Sequence, residues 1–356
     1  MELYLHIGTE KTGTSSIQEF MRANRALLQT RGVVYPRGPG DINHIGLAAL
    51  GQDRDRGELW EKLGITSIAG RDKYRIQLAN ELGTEFREKE YDRAVMSNEH
   101  CSSRLLSAEE VSSLRDFLSP LFSRIWIVVY LRRQDDFVVS TYSTGIKSGR
   151  TTPLSFPKPA RIRARYDYWN LLERWCGVFG RENIVCRKFE KQWLSGGDLL
   201  TDFLSVIGCD ASAEWQYPGN VNSSLDARAL EFLRLMNLHL TPDERPPRLV
   251  PKLEGLSDGP LVDLSPDDRG RLMKQLRDSN TLVAETYFGG SRTDSDDPLF
   301  APRADKRERI CNLKLRSEDA VSMAARLLSM DPPRGRRRRE RKLAFETDAI
   351  SQAKSI

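Results

Sequence analysis

The residues best suited to chemistry in this chain form a short segment near its start, Gly8 to Ser16, with the letters GTEKTGTSS. Its two glycines and the hydroxyl of Ser15 match the phosphate-binding pattern G-x-x-x-x-G-K-[ST]. Such a loop, placed between a strand and a helix, presents backbone N–H groups to an anion, and the helix dipole adds to the attraction. The segment therefore predicts a site for a phosphate-like group.

The lysine of this pattern is displaced, because Thr14 occupies its position and the loop lysine lies three places earlier, at Lys11. In nucleotide hydrolases the lysine binds the β and γ phosphates, and an aspartate at a strand end helps to hold magnesium. Two long apolar segments further along the chain, within residues 92–100 and 123–133, instead lead into Ser97-Asn98-Glu99 and Leu131-Arg132-Arg133. These differences favour an anion held by hydrogen bonds and arginine. A plain helix cap is the alternative explanation of the loop taken alone.

A strand and a helix must position this loop. The apolar run Leu3 to Ile7 predicts a strand, and apolar residues at helical spacing from Ile17 to Leu28 predict a helix that closes at Gly32. The letters GVVYP then indicate a second strand. Strand, loop, helix and strand in this order are typical of a parallel sheet.

Further strands are predicted at Asp92–His100, Ser123–Arg133 and Ile184–Arg187, and a long helix at Pro266–Phe288. The unbroken apolar run in the second of these strands is typical of a sheet covered by helices on both faces. We therefore expect an α/β fold, a P-loop-type three-layer sandwich with a central parallel β-sheet flanked by helices. Ligands bind at the carboxyl ends of such strands, where Gly8, Glu99 and Arg132 are expected to converge.

Two of these segments carry a resemblance to a known family. The letters KTGTSS resemble the 5′-phosphosulfate-binding loop of sulfotransferases that use 3′-phosphoadenosine 5′-phosphosulfate (PAPS). The family's second motif places an arginine at the end of a buried strand and a serine eight residues later, as Arg132 and Ser140 are placed here. Weaker similarity to bacterial members extends the resemblance over residues 1–290, through CRKFEK, NSSLDARALEFLRLMN and NTLVAETYFGG.

The resemblance implies a PAPS-dependent sulfotransferase that needs no metal. Lys11 would neutralise charge on the departing phosphate, and Arg132 and Ser140 would bind the 3′-phosphate. Glu99 or His100 would be the catalytic base, with Glu99 favoured; a helix cap or a surface ion pair is the alternative for both. The remaining residues implied in donor binding hold the 5′-phosphate: Thr12, Gly13, Thr14, Ser15 and Ser16.

The chain departs from the family beside its second motif. Many relatives have Asp or Asn and then Pro after the motif arginine, whereas this chain has Arg133 and Gln134. The additional arginine either contributes to 3′-phosphate binding or pairs with Asp135 or Asp136 at a helix start, and we favour the pairing. Phe189 is either near the adenine, as the resemblance implies, or part of the core.

Composition and charge bound the remaining possibilities. The net charge is +5, and the run RGRRRRERK at residues 334–342 alone contributes +6, so the rest of the chain is close to neutral. The five cysteines show no CxxC pair, and the four histidines are too sparse for a zinc set. Without an evident signal peptide or long apolar span, a cytoplasmic location is expected.

We expect a sulfotransferase domain at residues 1–290, in which the proline-rich segment 241–263 is a lid or substrate loop. Residues 291–356 are predicted to be a polar, basic extension, partly helical or disordered. The expected partner is an acceptor substrate, a glycan, glycolipid or small molecule, and no specific nucleic acid. Arg336–Arg339 suggest a weak association with anionic surfaces.

Two other functions remain open from the sequence. One is a kinase or nucleotide hydrolase with a modified phosphate loop, which the displaced Lys11 argues against. The other is a nucleic-acid-binding protein that works through its basic tail.

Overall fold

The computed structural model describes residues 1–53, 55–210, 212–219, 224–290, 297–303, 307–311 and 313–330. The described residues divide into two compact units: those within 1–141, 156–222 and 266–305 belong to the first, and those within 142–155, 223–265 and 306–330 to the second. The arginine-rich run at residues 334–342 and most of the predicted C-terminal extension lie outside the described residues.

The first unit is built on a parallel sheet whose order is β2-β3-β1-β4-β5. Each neighbouring pair of strands in it runs parallel, as the alternation of strands and helices in the sequence predicted. The strands are β1 (Glu2–Gly8), β2 (Val33–Val34), β3 (Arg93–Ser97), β4 (Arg124–Leu131) and β5 (Ile184–Lys188).

Helices surround this sheet and also form most of the second unit. Numbered along the chain, the helices are α1 (Thr14–Ala23), α2 (Arg25–Gln29), α3 (Ile45–Gly51), α4 (Glu58–Lys62), α5 (Ile68–Glu85), α6 (His100–Arg104), α7 (Ala108–Leu118), α8 (Gln134–Lys147), α9 (Pro159–Arg165), α10 (Tyr168–Phe179), α11 (Leu199–Val206), α12 (Ala227–Met236), α13 (Leu249–Gly255), α14 (Pro266–Phe288) and α15 (Ser317–Ser329).

Both faces of the sheet are covered. On one face α1, α2 and α11 form an apolar core with β3 and β4, to which Phe20, Val128 and Phe203 contribute. Helix α10 packs on β4 and β5, and it also contacts α7 and α14. Burial on both faces explains why Leu3, Leu5 and residues 127–131 of β4 are inaccessible to solvent. The predicted α/β fold with a central parallel sheet flanked by helices is confirmed.

Two predicted elements differ from the structure by more than two residues in their bounds. The single helix predicted up to Gly32 is two helices, because the Asn24 side chain between them donates to the Phe20 and Gln216 carbonyls. The strand predicted at Asp92–His100 ends at Ser97, and α6 begins at His100. By contrast, the helix predicted at Pro266–Phe288 is confirmed at both ends.

The second unit has its own apolar core. Tyr142, Leu230 and Leu253 are among its buried residues, and helices α12, α13 and α15 supply most of the others. Two short parallel strands, β6 (Leu261–Val262) and β7 (Arg309–Ile310), complete this unit. The segment 241–263, predicted as a lid or substrate loop, contains α13 and β6, and its role stays a prediction. Among the described residues, no helix combines the length and the apolar character that a membrane crossing requires.

Two buried histidines stabilise the chain near the end of β3. His44 accepts a hydrogen bond from the Ser97 backbone N–H through Nδ1 and donates one to the Pro36 carbonyl through Nε2. His6 hydrogen-bonds the Ser97 hydroxyl through Nδ1 at 2.8 Å. Burial lowers the pKa of each histidine to about 3, so both imidazoles are neutral at neutral pH.

These histidines predict a loss of stability in mild acid. Between their ordinary pKa of 6.5 and the folded value of about 3, the unfolded chain binds more protons than the folded one. The free energy of unfolding should therefore fall as the pH decreases, by about 1.4 kcal/mol per pH unit for each histidine. In denaturant titrations from pH 7 to 5, His44→Gln should flatten this decline, whereas the exposed His239→Gln should not. Equal slopes in wild type and His44→Gln would contradict the assignment.

Candidate active site

The loop between β1 and α1 is held by bonds within itself and to β4. The Thr12 hydroxyl donates to the Thr9 carbonyl at 2.6 Å, and the Thr9 backbone N–H and hydroxyl both donate to the Tyr130 carbonyl at 3.0 Å. Gly13, which precedes α1, has a φ of 77° that disfavours other residues. A Cβ there would also lie 2.3 Å from Leu199 Cδ2, so the Leu199 side chain would have to move to admit a side chain at this position.

The first turn of α1 follows this loop directly. The backbone N–H groups of Ser16 and Ile17 donate to the Gly13 carbonyl. The N–H groups that precede them in a helix have no acceptor within it, and the helix dipole places positive potential there. Thr14 is buried, Ser16 is half-buried and Ser15 is exposed. The predicted anion-binding residues therefore share one helix N-terminus.

Arg132 lies beside this loop, as the order of the strands requires. It follows β4, the neighbour of β1, and its Nη1 donates to the Lys11 carbonyl at 2.8 Å. Its guanidinium carbon lies 5.9 Å from the centre of the Phe189 ring, and a Cβ on Gly13 would lie 3.6 Å from that same ring. The structure thus brings together the two segments on which the sequence analysis depends.

Arg133 confirms the favoured interpretation of the additional arginine. Its Nε lies 3.1 Å from an oxygen of the buried Asp135 carboxylate, and its Nη1 donates to the Ala301 carbonyl at 3.0 Å. Arg303 pairs with Asp135 and Asp136 at the same helix start. Arg133 therefore stabilises the start of α8. Ser140 is half-buried about two turns into that helix, and its role stays a prediction.

Glu99 and His100 both lie close to the loop. Glu99 Oε2 accepts a hydrogen bond from the Gln18 side chain of α1 at 2.9 Å, and the Glu99 Cβ lies 3.1 Å from where a Gly8 Cβ would be. His100 Nδ1 lies 3.8 Å from Glu10 Oε1. Because β3 ends before both residues, the alternation of side chains along a strand does not decide which of them faces the crevice.

Glu10 was not identified from the sequence as a functional residue, although it lies within the loop. Arg165 pairs with its carboxylate at 2.7 Å. Burial would raise the pKa of Glu10, but His100, Arg165, Ser103 and Arg104 outweigh this effect and lower it to about 2. Glu10 is therefore ionised at neutral pH. A carboxylate in a loop that is predicted to bind an anion requires a compensating cation, and here that cation, Arg165, lies 155 residues further along the chain.

Three chemical roles are available at this end of the sheet. Backbone N–H groups and hydroxyls of the loop can donate to an anion, Lys11 and Arg132 supply fixed positive charge, and Glu99 or His100 can accept a proton. Among the described residues, no group of three or more His, Cys, Asp or Glu side chains has the arrangement of a metal site.

Comparisons with known proteins relate the chain to a curated protein and to solved structures. No family model matches the chain. Over 193 residues it is 29% identical to an uncharacterized protein of Archaeoglobus fulgidus, a match that covers 52% of this chain. The chain spans about half the length of that relative, 51%. Among solved structures, it is similar to a sulfotransferase from Alicyclobacillus acidocaldarius, with a TM-score of 0.41 and 16% identity over 80% of this chain and 94% of that one.

Proposed function

We propose that this protein is a sulfotransferase that transfers the sulfuryl group of PAPS to an acceptor hydroxyl or amine. The observation that carries the proposal is the hydrogen bond from Arg132 to the Lys11 carbonyl. This bond places the loop and the strand-end arginine next to each other, so one doubly phosphorylated adenosine can reach both.

The residues of the site suit the two ends of such a donor. The loop from Thr12 to Ser16 offers amides and hydroxyls for the 5′-phosphosulfate, at the positive end of the α1 dipole. Arg132, with Ser140, is proposed to hold the 3′-phosphate. Phe189 lies between Arg132 and Gly13, a position that suits stacking of the adenine.

A magnesium-dependent kinase fits these residues less well. Thr14 occupies the position of the phosphate-binding lysine, and β4 leads into two arginines rather than into an aspartate that could hold the metal. The acidic residue that follows β3 is a glutamate, Glu99, rather than such an aspartate, and its carboxylate accepts hydrogen bonds from Gln18 and Asn43.

In the proposed reaction the acceptor oxygen or nitrogen forms a bond to sulfur while the bond from sulfur to the 5′-phosphate oxygen breaks. The acceptor proton moves to the base, and Lys11 neutralises the charge that grows on the departing phosphate. Alignment of the two substrates and electrostatic stabilisation supply most of the rate acceleration in such a transfer.

Glu99 is the proposed base, and substitution separates it from His100. Glu99→Gln keeps the size of the side chain but removes its proton acceptor. It should therefore lower kcat by about 10² to 10⁴, the usual contribution of a general base. His100→Gln should have a smaller effect. The rates are measured as transfer of ³⁵S from labelled PAPS to acceptors of a host extract. A larger loss in His100→Gln would transfer the role to the histidine.

Titration calorimetry with adenosine 3′,5′-bisphosphate tests the function as a whole. The proposal requires tight binding of the bisphosphate without magnesium, competitive with PAPS. Magnesium-dependent binding of ATP together with no binding of the bisphosphate would refute the sulfotransferase and favour the kinase.

A further inference from the structure

A basic cavity adjoins the candidate active site within the first unit. Its volume is about 490 Å³, and the side chains that line it carry five positive charges and one negative charge. They come from α4, α6 and α9 and from the segments next to α4 and α6. The cationic members, which we call the basic cavity residues, are Arg56, Lys62, Arg104, Arg161 and Arg165.

Carboxylates nearby balance only part of this charge. Glu58 lines the cavity, and its Oε1 lies 2.9 Å from Arg56 Nη2 and 3.5 Å from Arg104 Nε. Two further carboxylates that do not line the cavity also pair with its cations, Glu110 with Arg56 and Glu10 with Arg165. Five cations against these three carboxylates leave an excess of two positive charges. A concave surface with such an excess attracts anions.

The like charges are also close enough to affect one another. Burial, and after it the charge of Arg165, lowers the pKa of the Arg104 guanidinium, whereas Glu10 and Glu58 raise it. An anion that enters the cavity would relieve this repulsion and gain charge-assisted hydrogen bonds from planar guanidinium groups, which suit carboxylate, sulfate and phosphate.

The cavity is connected to the loop and to His100 through Glu10. Arg165 lines the cavity and pairs with Glu10, which immediately precedes Lys11. Ser103 also lines it and helps to lower the pKa of Glu10, whose Oε1 lies 3.8 Å from His100 Nδ1. A molecule in the cavity would therefore lie against the side chains that hold Glu10, the residue that links the cavity to Lys11 and His100.

We propose that the basic cavity binds an anionic group of the acceptor, so that this protein sulfates molecules that already carry a carboxylate, sulfate or phosphate. The inference rests on the proposed sulfotransferase function, because only that function requires an acceptor. It narrows the acceptor from any hydroxyl or amine to an anionic substrate.

Three matched glycosides test this inference: 4-nitrophenyl β-D-glucoside, the corresponding glucuronide and the 6-sulfate of the glucoside. Their binding to the full chain is measured by calorimetry with adenosine 3′,5′-bisphosphate at saturation. We expect at least one anionic glycoside to bind about tenfold more tightly than the neutral one, the effect of one charge-assisted hydrogen bond. The stronger of the two anions identifies a carboxylate or a sulfate preference.

Variants on exposed residues locate the binding. Lys62→Gln combined with Arg161→Gln removes two of the basic cavity residues and should abolish the preference for the anionic glycoside. Lys158→Gln combined with Arg163→Gln removes the same charge from exposed positions at the start of α9 and within it, neither of which lines the cavity, and should retain the preference. Each double variant lowers the net charge of the chain by two, so the two variants differ only in where the charge is removed.

The outcomes separate the two proposals. If the bisphosphate binds but the wild type binds all three glycosides equally, or binds none of them, the anionic acceptor is refuted and the donor site stands. An equal loss of the preference for the anionic glycoside in both double variants also refutes the cavity as the place where it binds. If the bisphosphate fails to bind, the sulfotransferase itself is refuted, and the acceptor role of the cavity fails with it.

Discussion

Lys11→Met should lower the rate of sulfuryl transfer by about 10² to 10³, the usual effect of removing one group that stabilises developing charge. Methionine is an unbranched side chain one atom shorter than lysine, and it carries no charge. The backbone carbonyl of Lys11, which accepts the hydrogen bond from Arg132, is unchanged by the substitution. Both residues must adopt the same backbone conformation there, with a φ of 68°, so the comparison isolates the ammonium group.

The rate is measured as single-turnover transfer of ³⁵S from saturating labelled PAPS to acceptors of a host extract. Binding of adenosine 3′,5′-bisphosphate, measured separately, should weaken far less than the rate falls, because the charge on the departing group develops mainly during transfer. Lys274→Met, at an exposed position on α14, is the matched control. If the Lys11→Met protein had the wild-type rate, the ammonium group of Lys11 would have no part in the mechanism.

Arg132→Ala should weaken adenosine 3′,5′-bisphosphate binding more than it weakens binding of adenosine 5′-monophosphate, which lacks the 3′-phosphate. The excess should be about 10- to 100-fold, because a hydrogen bond to a charged group contributes roughly 1.5 to 3 kcal/mol. Both ligands should also share a smaller loss, since the substitution removes the bond to the Lys11 carbonyl that helps to hold the loop.

Arg133→Ala provides the matched control for this experiment. Its guanidinium contacts Asp135 and the Ala301 carbonyl at the start of α8, so its removal should lower the melting temperature and leave the ratio of the two affinities unchanged. Arg132→Lys should recover part of the lost affinity, because lysine retains the charge without the planar fork. Equal losses of both ligands in Arg132→Ala would refute a role at the 3′-phosphate.

Local patterns predicted most of the sheet and the placement of the loop. The apolar runs identified β1 and β4, and the parallel arrangement then required Gly8, Glu99 and Arg132 to meet at one edge of the sheet. The pairing of Arg133 with Asp135 was also predicted, because the two residues are close in sequence at a helix start.

Interactions between distant parts of the chain were beyond such patterns. The pairing of Glu10 with Arg165 depends on how α9 packs beside the loop, and nothing in the spacing of these residues indicates it. The division between α1 and α2 depends likewise on the bond from Asn24 to Gln216. The end of β3 at Ser97 was missed because Glu99 and His100 follow the strand without a glycine or proline to mark the boundary.

The position of β1 between β3 and β4 has a consequence for how such a protein changes its substrate. The loop that follows β1 is supported on both sides by strands that other parts of the chain provide. Arg56 and Lys62, in contrast, belong to the long connection from β2 to β3. Mutation can therefore remodel that connection, and with it the proposed acceptor cavity, without altering the loop that we propose binds the donor.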